Sequence, residues 1–162
     1  MNSKTASIAV FLDACRDALG RDFPAALRAE GLAMRRLGNT AALCERLIGY
    51  IIARDKTGVF SQPADFASGK LPQPGEYAVL IDFDDRPRCL VRYDECAVIP
   101  FSAIGPEHVA IETPALRDVV KFRAFHRNYW TPILEARGER FDEDAPVVFQ
   151  RFTCLYPPRP EQ

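Results

Sequence analysis

The sequence predicts an α+β domain: helices first, then a small, mostly antiparallel sheet or barrel, then a helix and a closing strand. Three observations carry this. Apolar residues recur at helical spacing over the first third of the chain. Short runs then alternate apolar and polar residues from Thr57 to about Ile99. The chain has 162 residues, 48% hydrophobic and 27% charged, enough for one core and one charged surface.

Residues 3–36 read as helical. Ile8, Phe11, Leu12, Cys15 and Leu19 share one helix face, and Gly20 ends it. FPAALRAEGLAMRRL predicts a second helix opened by Pro24. Asn39 or Thr40 can cap a third, over about Ala41 to Arg54, with Leu43, Cys44, Leu47, Ile48, Ile51 and Ile52 as its buried stripe and Tyr50 on the flank. TGVFS then reads as a strand and QPADFASGKLPQPG as a polar loop. GEYAVLID and RCLVRYDECAVI alternate as two strands, joined by the turn chemistry of FDDRP. FSAIGPEHVAIE suggests a short turn and strand. Thr113 followed by Pro114 predicts a helix start, and Pro132 a break with Thr131 as the new cap. Gly138 should end that second piece; APVVFQRFTCLY is a strong strand, and PPRPEQ a frayed tail.

Composition excludes several classes. Net charge is -1, so no global basic field of the kind used by non-specific duplex binders exists. No run approaches the ~18 apolar residues of a membrane span, and the N-terminus lacks a signal-peptide pattern. Five cysteines, Cys15, Cys44, Cys89, Cys96 and Cys154, form no CxxC pair and sit among apolar neighbours. They read as reduced thiols of a cytoplasmic protein. His108 and His126 are far from one another and from any cysteine, so neither a metal site nor a cofactor is expected.

One residue is out of keeping with a plain strand start. Lys56 is a strongly hydrated cation where the chain turns into the apolar run GVF. Around it the chain resembles the ASCH domain family, from about Leu37 to Tyr156. The matching pieces are LGNTAALCERLIGYIIARDKTGVFS, LPQPGEYAVLIDFDDRPRCLVR, FSAIGPEHVAIE, FRAFHRNYW and APVVFQRFTCLY. Their order carries the resemblance, since no single piece is specific.

The resemblance implies a PUA-like β-barrel, mostly antiparallel and surrounded by helices, over residues 37–156. Residues 1–36 would then be an N-terminal helical extension packing on the barrel, and 157–162 a tail. It also implies a cleft lined by the Lys-Thr turn and an association with RNA. Some members resemble acetylcytidine amidohydrolases, which use a lysine, a threonine and a glutamate. Carried over, these positions are Lys56, Val59 and Glu112. A valine cannot attack an acyl group, and Asp55 replaces the usual glycine of the turn. An RNA-cleaving type implies Tyr50, Lys56 and Thr131.

RNA transesterification needs a base for the 2′-OH, a cation for the phosphorane oxygens and an acid for the leaving oxygen. Lys56, Tyr50, Glu112 and Thr131 carry suitable groups. Thr57 and Ser61 are hydroxyls beside Lys56. Arg88, Arg92, Arg123, His126 and Arg127 could receive phosphates, with Tyr129, Trp130 and Phe60 as stacking candidates. Each has a structural alternative: Lys56 against helix-end carbonyls, Tyr50 in packing, Thr131 as a cap, Glu112 on a helix dipole, His126 at a core edge. Three functions follow: a ribonuclease acting on single-stranded RNA through a cleft around Lys56, a non-catalytic RNA-binding module, and a modified-nucleoside pocket. The expected partner is RNA or a nucleoside, not a membrane.

Overall fold

Side-chain caps start the three longest helices of the computed structural model, which describes residues 2–162. Helix α1 (Ser3–Leu19) starts where the Asn2 side chain accepts the Thr5 amide at 2.8 Å, and it buries Ile8, Leu12 and Cys15. Helix α2 (Ala41–Ile52) starts where Thr40 Oγ1 accepts the Leu43 amide, and it buries Cys44, Ile48 and Ile51.

Between them the expected second helix over residues 23–37 is not formed. The chain turns there and ends in a strand, β1 (Ala33–Arg36). The segment has alanines where a helix would need an apolar stripe, and Gly31 adopts φ +74°. Pairing with an existing sheet edge supplies backbone hydrogen bonds that an isolated short helix lacks.

The sheet contains β1, β2 (Gly58–Ser61), β3 (Tyr77–Ile81), β4 (Pro87–Pro100) and β5 (Pro146–Tyr156) in the order β1-β3-β4-β5-β2. β1 runs parallel to β3, and every other pair is antiparallel. Register shifts in the β4–β5 pair at Leu90/Val91 and Tyr93/Glu95 curl the sheet into a half-barrel. Its free edges are β1 and β2. Gly58 is required at the start of β2: a Cβ there would lie 2.1 Å from the Gln150 carbonyl oxygen of β5.

Both faces of the sheet are covered. Ala78 and Leu80 of β3 pack with the α2 stripe, while Val79 and Ile81 pack with Ile8, Leu12 and Cys15 of α1. This accounts for a strand buried along nearly its whole length. A third cluster joins Phe101, Ile104 and Val109 to Phe122, Trp130 and Leu134.

The later helices also depart from expectation. FSAIGPEHVAIE holds no strand; it forms a 3-10 turn and a one-turn helix, α3 (Pro106–Val109). Thr113 and Pro114 open only a 3-10 turn, and Thr113 makes no cap bond. Asp118 is the cap of α4 (Val119–Glu135), accepting the Lys121 amide at 2.9 Å. Pro132 does not break α4. It falls in the last turn, and its cost there is one ladder bond, to the Asn128 carbonyl. Thr131 is not a cap; its hydroxyl donates back to the Arg127 carbonyl at 2.6 Å. Gly138 then closes the segment at φ +75°.

Candidate functional site

The position of Lys56 follows from how α2 ends. Arg54 takes φ +66°, and the Tyr50 carbonyl accepts the amides of both Asp55 and Lys56. The turn is then fastened to the segment after α3. The Thr57 amide donates to the Ile111 carbonyl at 2.9 Å. Arg117 donates from Nε to the Glu112 carbonyl and from Nη2 to the Asp55 carbonyl. Lys56 and Glu112 are thereby brought face to face by backbone bonds and one arginine.

Their side chains meet at 2.8 Å, Nζ to Oε2, and each is only 4% exposed. Glu112 Oε2 also receives the Thr113 amide at 3.2 Å. A buried ion pair is costly to desolvate and adds little net stability over an apolar pair, so its presence asks for another reason.

That pair forms the floor of a cavity of about 310 Å³. Val59 joins the floor; Leu43, Leu47 and Tyr50 of α2 form one wall, and Phe125, His126 and Tyr129 of α4 the other. Tyr50 and Phe125 stand at the rim, 40% and 39% exposed. Phe125 stacks on Tyr129 with an interplanar angle of 11°.

His126 is buried, and burial pushes its pKa down to about 4, against an opposing pull from Glu112. The imidazole is therefore neutral at physiological pH. Its Nδ1 lies 3.1 Å from the Phe122 carbonyl, which can only accept. The proton therefore sits on Nδ1, and Nε2 is left as an acceptor.

Tyr50, Lys56, Glu112 and His126 thus share one cavity. The other expected residues lie elsewhere. Thr57 is exposed, and Ser61 is buried with its oxygen accepting from Gln150 Nε2. Thr131 is bonded within α4. Arg88 pairs with Glu45 and Asp82, Arg92 with Asp94, and Arg127 with Glu143. Arg123 Nη2 donates to the Ser102 and Ile104 carbonyls, and its buried Nε has no partner among the described residues. Phe60 and Tyr129 line the cavity, whereas Trp130 belongs to the third core cluster.

Several lining residues escape sequence reasoning, Phe125 at the rim among them. Arg46 precedes Tyr50 by one turn of α2, a spacing that could have revealed it. Thr113 reads as a cap from its proline neighbour, yet its side chain borders the cavity. Among the described residues no three His, Cys, Asp or Glu side chains gather as a metal site, and no helix is long and apolar enough to cross a membrane.

Chemically, the cavity offers an ammonium, a carboxylate and a neutral imidazole acceptor beneath aromatic walls. That combination suits a flat ring with polar edges.

A sequence model of the ASCH domain matches residues 34–156. The fold is similar to a crystal structure of an ASCH domain from Lactobacillus crispatus JV V101, with TM-score 0.75 and 17% identity over 97% of each chain. It is also similar to the crystal structure of a protein from Enterococcus faecalis V583, with TM-score 0.72 and 16% identity over 92% of each chain. No curated protein matches the sequence.

Proposed function

The chain belongs to the ASCH domain family, and on that premise we propose that it recognises single-stranded RNA by taking one unpaired base into the Lys56 cavity. The observation that carries this is the buried Lys56–Glu112 pair beneath an aromatic rim. Unpaired RNA bases are read by stacking on aromatic rings and by hydrogen bonds to their edges. Tyr50 and Phe125 supply exposed rings, and Lys56, Glu112 and His126 supply one donor and two acceptors. At about 310 Å³ the cavity is at the small end of ligand sites, the size of one nucleoside rather than a strand.

A second reading, RNA cleavage, uses the same cavity. Neutral His126 would take the 2′-OH proton on Nε2 as the 2′-oxygen attacks phosphorus, leaving the Tyr50 phenol as the acid. Lys56 would stabilise the phosphorane oxygens, and the leaving 5′-oxygen would take a proton from that acid. Thr131 has no part in it, because its hydroxyl is bonded inside α4. A deacetylating reading is weaker still: Val59 borders the cavity at the nucleophile position.

The test is binding of short single-stranded and duplex RNA by wild type and by Tyr50→Ala, with products resolved on a gel. Tyr50 is exposed, so its loss should spare the fold. Losing one stacking ring should weaken single-strand binding by about ten- to a hundredfold. Equal affinity for duplex and single strand, or no effect of Tyr50→Ala, would overturn the reading. Fragments made by wild type and abolished by Lys56→Ala, with the fold intact, would establish cleavage.

A further inference from the structure

The sheet is open between its two edges, β1 and β2, and the gap holds a second cavity of about 320 Å³. Leu37, Gly38, Phe60 and Tyr129 line both this seam cavity and the Lys56 cavity. The two spaces are thus neighbours across one shared wall. Their chemistry differs. The Lys56 cavity is mostly apolar above its ionic floor; the seam cavity is bordered by Arg35, Ser61, Gln62 and Asp65.

Arg35 is the unusual member. Its guanidinium lies over the Phe66 ring, 4.1 Å from the centroid. Among the described residues no carboxylate lies within salt-bridge distance of it, whereas Arg36 beside it pairs with Asp85. Stacking holds the group flat and leaves its donors unspent. Asp65 does not compete for it: one carboxylate oxygen accepts the Gln62 amide at 2.8 Å, and the other faces Arg137 at 3.9 Å. Ser61 Oγ accepts from Gln150, which leaves its proton to donate.

We propose that the two cavities form one bipartite site for two linked nucleotides. The Lys56 cavity takes the first base across the shared wall, and the seam cavity takes the next nucleotide, whose phosphate meets Arg35 on the seam's own lining. This rests on the single-strand RNA reading above and gives it a minimum ligand and a direction along the protein: from the α2–α4 cleft toward β1. The rim arginine Arg46 lies on the other cavity.

The experiment is calorimetric titration of wild type, Arg35→Ala and Gln62→Glu with mononucleotides and with dinucleotides of the same first base. Gln62→Glu is nearly isosteric and brings a carboxylate to the seam cavity without touching Arg35. Wild type should bind the dinucleotide about tenfold or more tighter, the worth of a charge-assisted phosphate contact. Both variants should lose that gain and keep mononucleotide affinity within about twofold. A mononucleotide that binds as well as the dinucleotide would overturn the bipartite site alone, as would variants that weaken both ligands equally. If neither ligand binds wild type, the base-recognition reading falls with it.

Discussion

The Lys56 cavity and the arginine-bearing face of β4 and α4 both present cations, yet they are built in opposite ways. Lys56 is buried, has one carboxylate partner, and sits where backbone bonds and Arg117 fix it. Arg92 and Arg127 are more than 40% exposed and pair with acids across solvent. The surface arginines outnumber the buried lysine and dominate any count of charge along the sequence. Both kinds of cation are paired; what differs is that the Lys56–Glu112 pair is held out of water at a cavity, whereas the arginine pairs stand in solvent.

The sharpest way to break this contrast is to remove one member of the buried pair. Glu112→Gln leaves the ammonium of Lys56 buried without a counter-charge, which should cost about 3–5 kcal/mol. Lys56→Met leaves the carboxylate in the same position, at a similar cost. The double variant Lys56→Met/Glu112→Gln should recover much of the loss, because no unpaired charge remains. Thermal melts of the four proteins check this. Drops in Tm of roughly 6 °C or more are expected for the singles at this size, at about 2–4 °C per kcal/mol. Singles that melt with wild type would mean that the pair is hydrated and not an ionic floor.

His126 gives the next test. Its pKa is about 4 when folded and about 6.5 when unfolded. Between these values the unfolded chain binds a proton that the folded chain does not. Stability therefore falls as pH drops from about 6.5 toward 4, and His126 alone contributes up to about 3 kcal/mol of that fall. Carboxylates ordinarily titrate near the lower end of this range, so the comparison must be with a variant. Urea unfolding at pH 7 and at pH 4.5 should show a shallower loss for His126→Gln than for wild type. Equal slopes would mean an imidazole that is solvated and free to charge.

Much of this site was legible in the sequence, for local reasons. Thr40 and the α2 stripe can be read from spacing, and Lys56 stands out because a cation at a strand start has few reasons to be there. Glu112 is fifty-six residues away and becomes its partner only through the fold. The errors have a common physical origin. Residues 33–36 read as helix because their strand identity comes from pairing with β3, which local propensity does not contain. Thr113–Pro114 and Thr131–Pro132 both look like cap-and-proline starts. At the first, Asp118 supplies the cap instead; at the second, the helix is already formed and tolerates proline in its last turn. Arg88, Arg92, Arg123 and Arg127 looked available because a sequence shows cations and not their partners. The seam cavity was invisible for the same reason, being made by two strand edges far apart in the chain.

The smallest expected effects complete the comparison. Arg92→Ala removes an exposed pair with Asp94 and a 3.3 Å bond to Thr153 Oγ1. Arg127→Ala removes an exposed pair with Glu143. Such pairs are worth about 0–1 kcal/mol, so neither variant should move the urea midpoint much. Neither should change affinity for single-stranded RNA by more than about twofold, since both guanidiniums are engaged with carboxylates outside the two cavities. The measurement is a salt titration of RNA affinity for wild type and both variants. If either variant flattens the salt dependence, its arginine leaves its acid to meet a phosphate. RNA would then extend beyond the cleft and seam onto the α4 face. Unchanged slopes would confine the phosphate contacts to cations such as Arg35 and Arg46, which pair with no acid among the described residues.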